Sequence, residues 1–171
     1  AHNNLGNNYK SLGKLNEAEK CYKEAIKLKP DYVDANYNMA ATLQQLQRLE
    51  EAENFYRKVS ELKPNHLGAL YNLGNTLRAL NKLNEAESYY KKVINIKPNY
   101  FEAYNNLGIT IQELGKLDEA EKYYRKAIEL KPDYIIAYNN LTENLKESNN
   151  LDEAKKIAKL AINLKPDHAQ S

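Results

Sequence analysis

Histidine, cysteine and paired carboxylates are the groups from which a catalytic or metal site would have to be assembled, and none is placed to do it. The histidines are His2, His66 and His168. None stands at helical spacing from a second ligand, and none neighbours a nucleophile that it could orient. The single cysteine, Cys21, can form neither an internal disulfide nor a multi-cysteine metal site. It takes a place held by Phe55, Tyr89, Tyr123 and Ile157 at 34-residue intervals, so it reads as a small packed hydrophobe. Carboxylate pairs such as Glu50-Glu51 and Asp118-Glu119 could do acid–base work. They recur at the starts of apolar-periodic stretches, where attraction to a helix N-terminus and solvation account for them. Asn140-Leu141-Thr142 matches a glycosylation sequon but falls inside a helical stretch, and no basic-then-apolar signal opens the chain. The expectation is a protein that is not an enzyme, with no catalytic residue, metal or cofactor.

One column does carry binding chemistry. Asn4, Asn38, Asn72, Asn106 and Asn140 recur without a break. Asn disfavours a helix by about 0.6 kcal/mol relative to Ala, so five cost on the order of 3 kcal/mol and should return something. A side-chain amide offers donors and an acceptor together. It can pair with the N–H and C=O of an extended peptide whatever that peptide's sequence. The alternative is structural: the amides hydrogen-bond between neighbouring helices, or are inherited through duplication in an Asn-rich chain.

The elements that position this column follow from one spacing. All five prolines, Pro30, Pro64, Pro98, Pro132 and Pro166, lie 34 residues apart in a chain of 171, which specifies an array of small units. The units are 1–32, 33–66, 67–100, 101–134 and 135–168, with 169–171 as the start of a further unit or a tail. With Pro at repeat position 32, Leu107, Ile111 and Leu114 mark one helical face, and Leu117, Ala120, Tyr124, Ala127 and Leu130 a second. Helices are predicted over 33–46 and 49–62, repeating every 34 residues. Asn16, Asn84, Asp118 and Asp152, each followed by Glu, mark the second helix's N-terminus; Lys-Pro ends it. Ala is invariant at position 20 (Ala18, Ala52, Ala86, Ala120, Ala154), and position 8 is Gly6, Ala40, Gly74, Gly108 and Thr142. Helices must therefore approach closely there, against the tyrosines at position 24: Tyr22, Tyr56, Tyr90 and Tyr124.

Leu-Gly at positions 7–8, Ala at 20, Tyr at 24 and Pro at 32, in five in-phase copies, resemble tetratricopeptide repeats. The resemblance implies an all-α fold: a right-handed superhelical solenoid of five helix-turn-helix repeats whose first helices line a concave groove. It places the Asn column in that groove. Asn3, Asn7, Tyr37, Tyr71, Asn75, Asn105 and Asn139 are its expected neighbours at positions 5 and 9. Around them the acids Asp34, Glu102, Glu113, Glu143 and Glu147 outnumber the bases Lys10, Arg78 and Lys146. Relatives that clamp a C-terminal carboxylate carry Lys or Arg at positions 2, 5 and 6, and this chain has none there. The unbroken Asn column is similar to the repeat domain of O-linked N-acetylglucosamine transferases, where it holds substrate polypeptide for a separate catalytic domain.

The expected function is a protein–protein interaction scaffold that holds an extended peptide in the groove. The alternatives are the substrate-recruiting part of a larger enzyme, such as a glycosyltransferase, and a homo-oligomeric assembly module. A net charge of +2 and an acidic groove disfavour nucleic acid. A mean hydropathy of −0.80 without a long apolar run disfavours a membrane. The chain enters and leaves at the same repeat phase, as a stretch from a longer array would. Unit five departs from the pattern at Thr142, Ser148 and Ala158, and its last helix still offers Ile157, Leu160 and Ile162, a surface for self-association. A cytoplasmic location is expected.

Overall fold

The computed structural model describes residues 1–164; the expectations for Pro166, His168 and 169–171 lie outside the described residues. These residues form ten α-helices and no strand: α1 (His2–Ser11), α2 (Leu15–Leu28), α3 (Val33–Gln45), α4 (Leu49–Leu62), α5 (Leu67–Ala79), α6 (Leu83–Ile96), α7 (Phe101–Glu113), α8 (Leu117–Leu130), α9 (Ile135–Glu147) and α10 (Leu151–Asn163). They compose two compact units, Ala1–Tyr89 and the residues from Tyr90 onward, which divide within α6. In the first, α1 packs on α2, α2 on α3, α3 on α4 and α4 on α5. In the second, α7 to α10 pack in chain order in the same way.

Each pair is closed by a turn with one left-handed residue at position 15: Gly13, Gln47, Asn81, Gly115 and Asn149, with φ of 72°, 61°, 59°, 77° and 61°. The following N–H reaches back five residues, as in Lys14 to the Tyr9 carbonyl at 2.9 Å and Arg48 to that of Leu43 at 2.9 Å. These bonds satisfy carbonyls that the helix end would leave open. Gln47 is the one residue in this column outside the Gly and Asn types that adopt this conformation readily. At the other end, Lys29, Lys63 and Lys131 leave the helix at φ −142°, the extended backbone that a following proline enforces.

The second helices start differently from the sequence expectation. Their N-caps are the position-16 residues Lys14, Arg48, Lys116 and Asn150, none with a side-chain cap bond. Asn16, Asn84, Asp118 and Asp152 lie inside the first turn instead, where only a charge on the side chain helps the helix dipole. A side-chain cap occurs at α5, where the His66 Nδ1 accepts from the Ala69 N–H at 3.1 Å.

The core is built on the small and large columns. Ala18, Ala52, Ala86 and Ala120 are fully buried, as are Tyr22, Tyr56, Tyr90 and Tyr124. A Cβ added at Gly6 would stand 2.5 Å from Tyr22 Cε1, and one at Gly108 2.7 Å from Tyr124 Cε1. Those two glycines are therefore small because a ring occupies the place of their side chain.

Successive repeats are also tied by buried ions. Glu19 binds Lys23 at 2.6 Å and Arg48 of the next repeat at 2.8 Å. Glu53 binds Arg57 at 2.8 Å and Lys82 of the next repeat at 2.7 Å. Burial pushes the Glu53 carboxyl up, but hydrogen bonds from Lys82 and Arg57 outweigh it and hold the group below its ordinary 4.5. A carboxyl depressed in the fold adds stability above its unfolded value and loses it as pH falls through its folded one. Urea midpoints measured from about pH 7 to about pH 3 should fall on the acid side, and Glu53→Gln should flatten that limb. An unchanged acid limb in the variant would assign the acid sensitivity elsewhere.

Candidate functional site

The first helices of successive repeats touch one another: α1 with α3, α3 with α5, and α7 with α9. That contact brings the Asn column of one repeat against position 5 of the repeat before. The Asn38 Nδ2 donates to Asn3 Oδ1 at 3.1 Å and to Asn7 Oδ1 at 3.0 Å. The Asn72 Nδ2 donates to the Tyr37 hydroxyl at 3.1 Å. The Asn140 Nδ2 donates to Asn105 Oδ1 at 2.8 Å, and the Asn105 Nδ2 donates to Asn106 Oδ1 at 3.3 Å. The column thus hydrogen-bonds repeat to repeat. Position 5 is the inner member: Asn3 and Asn105 are buried and Tyr37 is half-buried.

The other predicted residues fall around these bonds. Asn4 and Asn139 are exposed; Tyr71, Asn75 and Asn106 are half-buried. Asn7 is exposed and also accepts from the Tyr22 hydroxyl at 2.7 Å. Tyr37 is held by His66, with ring centroids 4.9 Å apart, and by Tyr56 at 5.9 Å. Burial, with Cys21 as a lesser cause, pushes the Tyr22 phenol up to about 12. It therefore stays a neutral donor at physiological pH. The backbone of the column is also engaged: Thr42, Thr76 and Thr110 donate to the carbonyls of Asn38, Asn72 and Asn106, each at 2.8 Å. Among the described residues, no bond within the protein engages the Oδ1 of Asn38, Asn72 or Asn140, so an acceptor is left on each.

A cleft of about 410 Å³ opens beside Asn140, lined by Ile109, Gln112, Glu113, Tyr124, Asn140, Glu143 and Glu147. Apart from Tyr124 these are all first-helix residues, at positions 6, 9, 12 and 13. The Gln112 Oε1 accepts from the Tyr124 hydroxyl at 2.7 Å, which fixes its amide. Glu143 pairs with Lys146 at 2.8 Å on an exposed edge. Three carboxylates in one cleft give it an acidic character. Of the candidate ladder residues only Asn140 reaches it; the rest of its wall comes from the polar flanks at positions 9, 12 and 13. No three His, Cys, Asp or Glu side chains among the described residues are grouped to hold a metal ion. No described helix is long and apolar enough to cross a membrane.

Comparison with known proteins matches this geometry. A family profile described as TPR repeat covers residues 6–47, and profiles described as Tetratricopeptide repeat cover 31–99, 101–134 and 135–168. No curated protein matches the chain. Among solved structures, a crystal structure of MamA is 25% identical, with a TM-score of 0.90 and 94% of each chain covered. MamA from Desulfovibrio magneticus RS-1 is 22% identical, with a TM-score of 0.94 over 99% of this chain and 96% of that one. YrrB, described as a TPR protein with an unusual peptide-binding site, is 24% identical, with a TM-score of 0.85 over 98% of this chain and 86% of that one. Repeat period, helix pairing and profile matches from residue 6 to residue 168 agree, and the chain belongs to the tetratricopeptide-repeat family of protein-interaction scaffolds.

Proposed function

We propose that this protein binds extended polypeptide on the faces built by the first helices within each compact unit, and that a basic side chain of bound polypeptide seats in the cleft between α7 and α9. The cleft carries this reading. Glu113, Glu143 and Glu147 line a space of about 410 Å³ together with Asn140 and Gln112. A Lys or Arg entering it meets carboxylates at charge-assisted hydrogen-bond range. The Oδ1 atoms of Asn38, Asn72 and Asn140 supply acceptors for peptide N–H groups. First helices packed about 10 Å apart meet roughly every third residue of an extended chain. Backbone contacts of that kind tolerate many sequences, and the acidic cleft adds preference to one position. YrrB, described as having an unusual peptide-binding site, shares the fold. The test is binding of an unstructured peptide library to the wild type and to Glu113→Gln/Glu143→Gln/Glu147→Gln. Enrichment of Lys- and Arg-bearing peptides in the wild type, lost in the variant, is the expected result. Equal recovery of acidic and basic peptides by the wild type would refute the seat.

A further inference from the structure

Four of the five repeats fill the space between their two helices with the position-24 tyrosine. In the second unit, the Tyr124 ring lies over Gly108 at position 8 and its hydroxyl reaches Gln112 at position 12. Tyr22 lies over Gly6, and the Tyr56 hydroxyl reaches Gln44. The fifth repeat has Ala158 at position 24, and the space is open. A cleft of about 260 Å³ lies there, lined by Thr142 (position 8), Lys146 (position 12), Leu151, Ala154, Lys155 and Ala158 (position 24), with an almost wholly apolar wall. It follows the path of the tyrosine ring in the other repeats. Its volume exceeds the roughly 150 Å³ of an apolar cavity that accepts benzene.

Two residues of the same repeat set its charge. Position 12 is Lys146, basic like Lys10 and Arg78, where Gln44 and Gln112 receive the tyrosine hydroxyl. Position 21 is Lys155 where the other repeats have Glu19, Glu53, Glu87 and Glu121. Glu19 and Glu53 each accept a cation from position 16 of the following repeat, and Lys155 cannot make that bond. The rim of the slot is therefore suited to an anion. The pair between Lys146 and Glu143 is exposed on both sides, so an incoming carboxylate can exchange with it.

We propose that the gap between α9 and α10 is a binding slot for an aromatic side chain of a partner polypeptide, carried beside an anionic group that Lys146 and Lys155 receive. This slot shares no lining residue with the acidic cleft, but the Lys146–Glu143 pair joins their rims, so p-cresol binding, which needs neither charge, is the readout that keeps the two proposals apart. The probes are 4-hydroxyphenylacetate, which is the tyrosine ring with a carboxylate, and the neutral ring p-cresol. Both should shift the methyl NMR signals of Thr142, Leu151, Ala154 and Ala158, and the carboxylate probe should bind more tightly at low salt. Thr142→Ala/Ala158→Tyr copies the Ala40/Tyr56 pair of the second repeat, so the protein's own ring should fill the slot. That variant should melt higher and bind both probes at least about tenfold more weakly. Should it lose helicity, Ala158→Leu narrows the same slot and should also weaken binding. Lys146→Gln/Lys155→Gln should abolish the preference for the carboxylate while leaving p-cresol binding. The proposal is overturned if neither probe shifts those methyls at about 10 mM. Equal binding by the filled variant would overturn it as well.

Discussion

Tyr124→Ala should destabilise the second compact unit by about 3–5 kcal/mol, the cost of removing a large buried aromatic. Tyr124 is fully buried, and its ring fills the space that Gly108 leaves open. Alanine would leave a cavity between α7 and α8 and orphan the Gln112 acceptor. Tyr124→Phe keeps the ring and removes the hydroxyl that donates to Gln112 at 2.7 Å, so it should cost about 1 kcal/mol. The two variants together separate packing from hydrogen bonding. Urea unfolding followed by circular dichroism measures both. Because repeats stack through nearest neighbours, the loss should broaden the transition as well as shift it. A cost below about 1 kcal/mol for the alanine variant would mean that α7 and α8 close over the gap.

Much of this architecture was legible in the sequence. The proline period gave the number of units, and apolar spacing gave the helices: 33–46 and 49–62 were expected, and Val33–Gln45 and Leu49–Leu62 are found. The pairing of small position 8 with large position 24 was also readable, since only a ring can justify a mid-helix glycine beside an invariant alanine. What escaped the sequence lies between repeats. Glu19 and Glu53 sit among exposed acids and resemble them, yet they are buried and hold Arg48 and Lys82 nearly thirty residues on. The bonds from Asn38, Asn72 and Asn140 to position 5 of the preceding repeat span 35 residues; bonding between neighbouring helices was one of the two readings of the column, but its partners were not legible. Local periodicity carries no signal for the buried glutamates or for those partners. The left-handed Gln47 was hidden because its residue type does not announce that conformation. The acidic cleft was half visible: its acids were counted, but that three of them line one cleft depends on how α7 and α9 meet.

Reversing the cleft's charge should have the larger effect on binding. Glu113→Lys/Glu143→Lys/Glu147→Lys replaces attraction for a basic side chain with repulsion. The expected loss for Lys- or Arg-bearing peptides is about 100-fold at low salt, in the range that juxtaposed like charges cost. Acidic peptides should gain in the same variant. Because the contacts are partly exposed, both changes should shrink as ionic strength rises. All three positions are on the surface side of their helices, so helicity should be unchanged. Equal losses for basic and acidic peptides would indicate damage to the fold instead of a change in preference.

The central claim is that the Asn column reads peptide backbone while it ties the repeats together. The direct measurement is peptide-library binding to the wild type and to Asn38→Ala/Asn72→Ala/Asn106→Ala, each first shown to be folded by circular dichroism and melting. The substitutions forfeit amide bonds of about 1 kcal/mol each, two of them at Asn38, and regain about 0.6 kcal/mol of helix propensity per site, so a modest loss of stability is expected and is measured first. The account predicts that binding falls across many unrelated peptide sequences while the preference for basic residues survives, since Glu113, Glu143 and Glu147 are untouched. Undiminished binding by a folded triple variant would contradict it, and would leave the column as repeat-to-repeat mortar alone.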